Sequence, residues 1–334
     1  MDEFVEEVIP LLQERGPRTG CGETLRDHPG AAPPAPPRHD GSHHHRRLTH
    51  PPRTEDTMSS ETETETETET GTGNDDGAGT ASAARREAWE RWRADRTETL
   101  SRPHGWLSLT GLHWLDAGPR TVDGLPGRWW ADGAGVHARG LGADDLDGTG
   151  VGNWVPSESG PEVVLEFGDV HVEVLVRTGR HGLRVRDPRS PVLQAFSGVP
   201  VFGYDERFVV PARLEAYDRD REVVGGSVVE GLVNRHVAAG TVHFVLDGEP
   251  LRLTVFRSGA ALSALFTDAT SGVTTAPTTR SVPVGPPAAD GSLVLDLNLA
   301  ANYPSAFTDF ATCPTPPEEN RLTVAVRAGE KDPR

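Results

Sequence analysis

The sequence predicts a mostly β protein, an antiparallel barrel or sandwich with one N-terminal helix. Short runs of alternating apolar and polar residues fill the chain after residue 105, and turn residues separate them. No long helical pattern lies between these runs, so parallel strands joined by helical crossovers are not expected. One helical pattern precedes the first run, which is why a single helix is predicted before the strands.

The helical pattern is SAARREAWERWRADRTETL, which starts at Ser82. Ser82 is a candidate N-cap, and Pro103 marks the end of the pattern. Trp89 and Trp92 fall on one helical face, a spacing typical of a stripe that packs against a core. We therefore expect this helix to cover part of the β domain.

Two hairpins are predicted from turn residues between alternating runs. VVLEF and VHVEVLV flank Gly168 and Asp169, and TVHFVL and PLRLTVF flank the turn signal of Asp247 and Gly248. Further strands are predicted in a set of shorter segments: GLRVR, RFVVPARLEAY, ALSALF, SLVLDLNL and the C-terminal LTVAVRAG.

The composition divides the chain into three parts. Residues 1–57 show no sustained period and are predicted to be disordered, with Met58 as the hypothetical true start after translated upstream sequence. Residues 58–80 form an acidic, Glu- and Thr-rich leader that is also predicted to be disordered. Residues 81–334 are predicted to form a single β-rich domain.

Charge and cysteine content restrict the expected classes of partner and the expected cellular compartment. The formal net charge is −17 and no basic stripe occurs, so nucleic acid is not an expected partner. No window is apolar enough to predict a membrane span. Two cysteines do not make a disulfide framework, and the sequence therefore predicts a cytoplasmic protein.

The motifs of well-known enzyme classes are absent from the sequence. It contains no P-loop, no Gly-x-Ser-x-Gly elbow and no Cys-x-x-Cys, and the histidines after residue 81 are scattered. No metal site is predicted, and neither a cofactor nor an oligomeric state follows from the residues.

The C-terminal part of the sequence has a more specific pattern of residues. LFTDATSGVTTAPTTR is followed by LVLDLNLAANYPSAFTDFATCPTPPEENRLTVAVRAGEK, which resembles the signature of the bacterial and archaeal family called domain of unknown function 1684. GWLSLTGLHWLDAG and GLRVRD, nearer the N-terminus, also resemble that family. One departure is Ser305, which stands where the family often has a cysteine, so a thiol pair with Cys313 is not expected. The family's name implies no activity.

The candidate site residues come from this signature and from a neighbouring strand. Asp268 and Glu330 are the candidates for a general acid or base. Cys313 is a nucleophile only if a neighbouring cation lowers its pKa, and otherwise it is an inert buried thiol. The candidates for ligand binding are Arg184, Arg280, Asn298, Asn302, Cys313, Asn320, Arg321 and Lys331.

The arginines and the lysine leave two interpretations open. If their side chains converge, they form an anion site. If each pairs with a nearby carboxylate, they are structural ion pairs. Three functions follow: binding of a small anionic or amphipathic metabolite in a barrel mouth, hydrolysis or isomerisation in the same pocket through Asp268 or Glu330, and a structural or protein-interaction domain.

Overall fold

The computed structural model describes residues 75–142, 150–160 and 162–334, with side chains from residue 79 onward. The predictions for residues 1–74 lie outside the described residues. Two α-helices occur among these described residues: α1 (Asp75–Leu100) and the short α2 (Pro191–Ala195). The strands are β1 (Leu109–Trp114), β2 (Arg128–Asp132), β3 (Gly135–Arg139), β4 (Val151–Trp154), β5 (Val163–Phe167), β6 (Val170–Arg177), β7 (Arg180–Arg186), β8 (Val209–Gly226), β9 (Val233–Leu246), β10 (Glu249–Ser258), β11 (Ala261–Phe266), β12 (Arg280–Val284), β13 (Ser292–Asp296) and β14 (Ala301–Asn302).

The strands form three antiparallel sheets, which confirms the mostly β prediction. The large sheet has the order β13-β8-β9-β10-β11-β12-β14, the four-stranded sheet has the order β1-β7-β6-β5, and the three-stranded sheet has the order β2-β3-β4. The order of hydrogen-bonded strands in the large sheet begins at β13 and ends at β14 and does not close into a ring. This arrangement fits the sandwich alternative.

Each sheet buries one apolar face. The end strand β13 and the strand next to the other end, β12, contribute to one core through Leu295 and Val282, so the sheet curves around that core. The four-stranded and three-stranded sheets share a second core around Trp129. Burial of these faces is the main source of stabilisation for such a fold.

Both predicted hairpins are confirmed. β5 pairs with β6, and β9 pairs with β10. Asp247 and Gly248 both have positive φ, of 51° and 82°, which is the backbone that a two-residue turn between twisted strands requires.

Helix α1 packs as the tryptophan stripe predicts, but it starts earlier than expected. Trp89 and Trp92 are buried beside Tyr204 and Ala301. The prediction of Ser82 as N-cap was wrong, because the helix begins at Asp75 and the Ser82 hydroxyl donates instead to the carboxylate of Glu206.

The prediction of a strand at LTVAVRAG was also wrong. The terminal segment, residues 321–331, is extended but makes only isolated bridges at Arg321 and Glu330. Its backbone bonds to scattered backbone groups outside the strands, such as those of Thr267, Ala269 and Ala300, and to the buried side chains described below.

Candidate functional site

Arg280 and Asp268 form a buried ion pair that holds the terminal segment. Arg280 Nη2 lies 3.1 Å from Asp268 Oδ1, and both side chains are fully buried. Arg280 also donates to the carbonyls of Val326 and Ala328, at 3.1 and 2.7 Å. Asp268 Oδ2 accepts from the Val326 amide at 2.6 Å. The pair therefore supplies hydrogen-bond partners for the backbone of Val326 and Ala328, where no neighbouring strand does so.

The carboxylate of Glu330, within the terminal segment, is also buried and also bonds to an arginine and to a backbone amide. Its carboxylate accepts from Arg96 Nε of α1 at 2.9 Å and from the Asn302 amide at 2.6 Å. The Asn302 side chain donates to the carbonyl of Lys331 at 2.8 Å. These bonds join α1, β14 and the terminal segment, and Glu330 is 1% exposed.

Two further asparagines of the signature bond to backbone groups. Asn298 exchanges two hydrogen bonds with the backbone of Asp205. Asn320 accepts from the Thr254 amide at 2.7 Å and donates to the carbonyls of Thr254 and Leu265 at 2.9 and 2.7 Å. Both amide side chains therefore act as local backbone partners.

The two remaining cations of the signature lie apart from this network. Arg321 is exposed. The Lys331 ammonium lies 4.8 Å from the centre of the Phe202 ring. The candidate residues thus do not converge in one place.

A cavity of about 250 Å³ lies between the four-stranded sheet and the C-terminal loop. We call it the Arg184 cavity. Of the predicted site residues only Arg184 and Cys313 line it, and Asp268, Glu330, Arg280, Asn298, Asn302, Asn320, Arg321 and Lys331 do not. Lining residues on the sheet side include Val163, Glu173, Val174, Leu175 and Arg177, and those on the loop side include Tyr303 and Thr312.

A buried carboxylate and three guanidinium groups meet at this wall. Glu173 Oε2 lies 2.8 Å from Arg184 Nη1 and 3.6 Å from Arg186 Nη2, and Glu173 Oε1 lies 3.4 Å from Arg177 Nη2. Burial raises the pKa of Glu173, but Arg184, Arg186 and Arg177 outweigh that effect and hold it below its usual value. Glu173 is therefore ionised at neutral pH.

Arg184 has one donor nitrogen without a hydrogen-bond partner among the described residues. It is 2% exposed, and its Nη1 and Nη2 donate to Glu173 and to the Thr312 hydroxyl. Its Nε is buried and has no hydrogen-bond partner among the described residues. A buried donor without a partner costs about 1–3 kcal/mol, and such a group at a cavity wall is a natural contact for a ligand.

An aromatic ring borders the same cluster. The guanidinium carbons of Arg184 and Arg186 lie 5.4 and 5.1 Å from the centre of the Trp106 ring. This cation–π arrangement holds both arginines in place beside the cavity.

The cavity also contains a thiol and a phenol. Cys313 is 6% exposed, and burial raises the pKa of its thiol although the nearby Arg184 opposes this. Burial also raises the pKa of Tyr303. Both groups are therefore protonated at neutral pH, which fits the inert-thiol interpretation of Cys313 rather than a nucleophile.

Sequence reasoning missed Glu173, Trp106 and Thr312. A signal for Glu173 exists, because it is a charged residue within a valine run and the short turn at Thr178 and Gly179 sets it opposite Arg184. No comparable signal exists for Thr312, which lies in an irregular loop far along the chain.

The described part of the chain has neither a metal-binding cluster nor a membrane-spanning helix. No group of three His, Cys, Asp or Glu side chains there has a geometry that could hold a metal ion. No helix in residues 75–142, 150–160 and 162–334 combines the length and apolar character needed to span a membrane.

The chain was compared with known proteins. A family model described as "Protein of unknown function (DUF1684)" matches residues 194–331. The solution NMR structure of an uncharacterized protein from Haloarcula marismortui is 31% identical, over 41% of this chain and 78% of that chain, with a TM-score of 0.36. No curated protein matches the chain.

Proposed function

The chain belongs to the DUF1684 family of proteins of unknown function, and we propose that this member binds a small anionic or amphipathic metabolite in the Arg184 cavity. The observation that carries the proposal is the buried Arg184 Nε, which has no partner among the described residues although the residue lines a cavity. A ligand oxygen at this position supplies the missing acceptor.

The walls of the cavity suit a ligand with one polar and one apolar side. Arg184 and Thr312 provide hydrogen-bond donors, while Val174, Leu175 and Tyr303 provide apolar surface. Binding sites for small molecules combine such apolar walls with a few placed polar groups. We expect the protein to act in the cytoplasm, because the only cysteine in the described part of the chain is a free thiol.

The alternative of a hydrolase or isomerase that uses Asp268 or Glu330 has less support. Both carboxylates bond to backbone amides and to a buried arginine, and neither lines the cavity. A general acid or base must reach the proton that it transfers. We therefore include neither residue in the proposed site.

The proposal is tested by thermal shift of the full chain against pools of small metabolites, with a cavity-filling variant. Val163 lines the cavity, and Val164 is its neighbour on the exposed face of β5. A ligand at a hundred times its dissociation constant adds about 2.7 kcal/mol, which raises the Tm by several degrees. We expect at least one compound to stabilise the wild type and Val164→Phe but not Val163→Phe.

Two results would contradict the proposal. The first is stabilisation that persists in Val163→Phe for every active compound, because that places binding outside the cavity. The second is the absence of stabilisation by any compound of a broad panel, which favours the structural or protein-interaction alternative.

A further inference from the structure

We infer that the ligand is a small monocarboxylic acid with a compact apolar body, bound through the Nε edge of Arg184 and the Thr312 hydroxyl. This inference rests on the proposed function and names the chemical class of its ligand. It follows from the unused donors, the local charge and the size of the Arg184 cavity.

The first step concerns the donors. Arg184 Nη1 is directed at Glu173, 2.8 Å away, and Nη2 is bonded to Thr312 Oγ1 at 3.0 Å. Nε has no partner in the described part of the chain. The Thr312 hydroxyl accepts from Arg184 and keeps its own proton to donate.

Two donors of one hydrogen-bonded pair, Arg184 Nε and the Thr312 hydroxyl, suit a ligand group that carries two acceptor oxygens. A carboxylate is such a group, and guanidinium groups bind it with well-defined direction. One ligand oxygen accepts from Arg184 Nε, and the second accepts from Thr312. A neutral amide offers only one acceptor oxygen, and its NH₂ group would face a donor.

The second step concerns charge. Three guanidinium groups, of Arg177, Arg184 and Arg186, contact Glu173. Among the described residues one further carboxylate joins this cluster, that of Glu162, 3.9 Å from Arg186 Nη2. The cluster therefore has a surplus of one positive charge. Glu158 also lines the cavity, but it is exposed and its carboxylate accepts from the Gly179 amide. A ligand with one negative charge balances the cluster better than a dianion does.

The third step concerns size. The volume of about 250 Å³ is small for a ligand pocket, since such pockets typically have about 300–1,000 Å³. Val174 and Leu175 of β6 and Tyr303 of the loop form apolar wall. A short branched or unbranched acyl chain suits a cavity of this size.

The test compares matched probes on the full chain by ligand-observed NMR titration. The probes are butyrate, 3-methylbutyrate, their amides and inorganic phosphate. We expect each carboxylate to bind about tenfold or more tightly than its amide, since a hydrogen bond to a charged group contributes more than one to a neutral group. Phosphate is expected to bind more weakly than either carboxylate.

Substitutions at Arg184 and Thr312 test whether these two residues contact the ligand. Arg184→Lys keeps the charge beside Glu173 but removes the Nε edge, and we expect the dissociation constant of butyrate to rise about tenfold or more. Thr312→Val keeps the shape and removes the hydroxyl, and we expect a rise of several-fold. Arg189→Lys is the matched control, because Arg189 is exposed and pairs with Asp187 away from the cavity. Circular dichroism checks that each variant is folded, and Thr312→Val tests the inference if Arg184→Lys is not.

Several outcomes overturn the inference. Equal binding of carboxylate and amide overturns it, as does tighter binding of phosphate or an unchanged affinity in Thr312→Val. If carboxylates do not bind while another compound class is blocked by Val163→Phe, the carboxylate assignment fails and the proposed function stands. If no compound binds at all, both fail.

Discussion

At the scale of single residues, the strongest constraint is the buried pair of Arg280 and Asp268. Arg280 bonds to Asp268 and to carbonyls of the terminal segment, and no solvent reaches either side chain. The sequence suggested Arg280 as a ligand contact, but these bonds use it to hold the chain. A buried charge that loses its partner is far more costly than an exposed one.

We therefore predict that Arg280→Met lowers the free energy of unfolding by about 3–5 kcal/mol. The control is Arg257→Met, because Arg257 and Asp220 form an exposed pair, each side chain being 41% exposed, and its loss costs less than about 1 kcal/mol. Urea unfolding of both variants measures the difference. Equal stability of the two variants would show that the Arg280 network does not hold the fold.

His236 makes stability depend on pH. Its ring is buried against Phe256, its Nε2 has no hydrogen-bond partner among the described residues, and burial lowers its pKa to about 4. The unfolded chain binds a proton near pH 6.5, whereas the folded protein does not until about pH 4. Stability is therefore lost as the pH falls from about 6.5 to about 4, by about 3 kcal/mol in total.

The prediction is that His236→Leu reduces this loss. The difference in unfolding free energy between pH 7 and pH 4.5 is expected to be smaller by about 2–3 kcal/mol than in the wild type. His243→Leu is the control, because the His243 side chain is 45% exposed on the solvent face of the same strand. A slope in His236→Leu that matches the wild type contradicts the assignment.

At the scale of elements, hairpins could be predicted from the sequence and the terminal segment could not. In the hairpins, local turn residues fix which strands pair, and alternation fixes which face is buried. The terminal segment also alternates, since Leu322, Val326 and Ala328 are buried while Thr323 and Arg327 are exposed. Alternation reports burial on one side only. Here the backbone partners are the side chains of Arg280 and Asp268 together with scattered backbone groups, and not one regular strand.

The start of α1 shows a second limit of local signals. Ser82 has the residue type of an N-cap, yet its hydroxyl bonds to Glu206, more than a hundred positions along the chain. Cap preferences are worth about 1 kcal/mol, so a tertiary contact can override them. Trp89 and Trp92 predicted the buried face of α1 correctly, because burial of two large rings contributes more free energy than a helix cap does.

At the scale of the whole molecule, the candidate site could be predicted only in part. Arg184 and Cys313 were named from the sequence, and both line the cavity. The hydrogen bond between Arg184 and Thr312 at the cavity joins residues that are 128 positions apart in the chain. Such a pairing depends on how the four-stranded sheet meets the C-terminal loop, and no periodicity in the sequence encodes that.

The same long-range contacts predict that the two cores unfold together. Arg96 with Glu330, Trp89 with the Asn298 carbonyl, and Arg184 with Thr312 are buried or half-buried links between the N-terminal part and the C-terminal part. All seven tryptophans lie between residues 89 and 154, and none belongs to the core that contains Leu253, so tryptophan fluorescence does not report directly on that core. Far-UV circular dichroism reports on all strands.

We predict that Leu253→Ala, in the core of the large sheet, lowers stability by about 2–5 kcal/mol. If the two cores are one cooperative unit, fluorescence and circular dichroism give the same shifted urea midpoint, although no tryptophan lies in the core that was changed. Val294→Ala is the control, because Val294 is 58% exposed on the same sheet and is expected to change the midpoint little. A shift seen by circular dichroism but not by fluorescence would mean that the buried links are too weak to couple the sheets, and that the Arg184 cavity lies at a junction that can open independently.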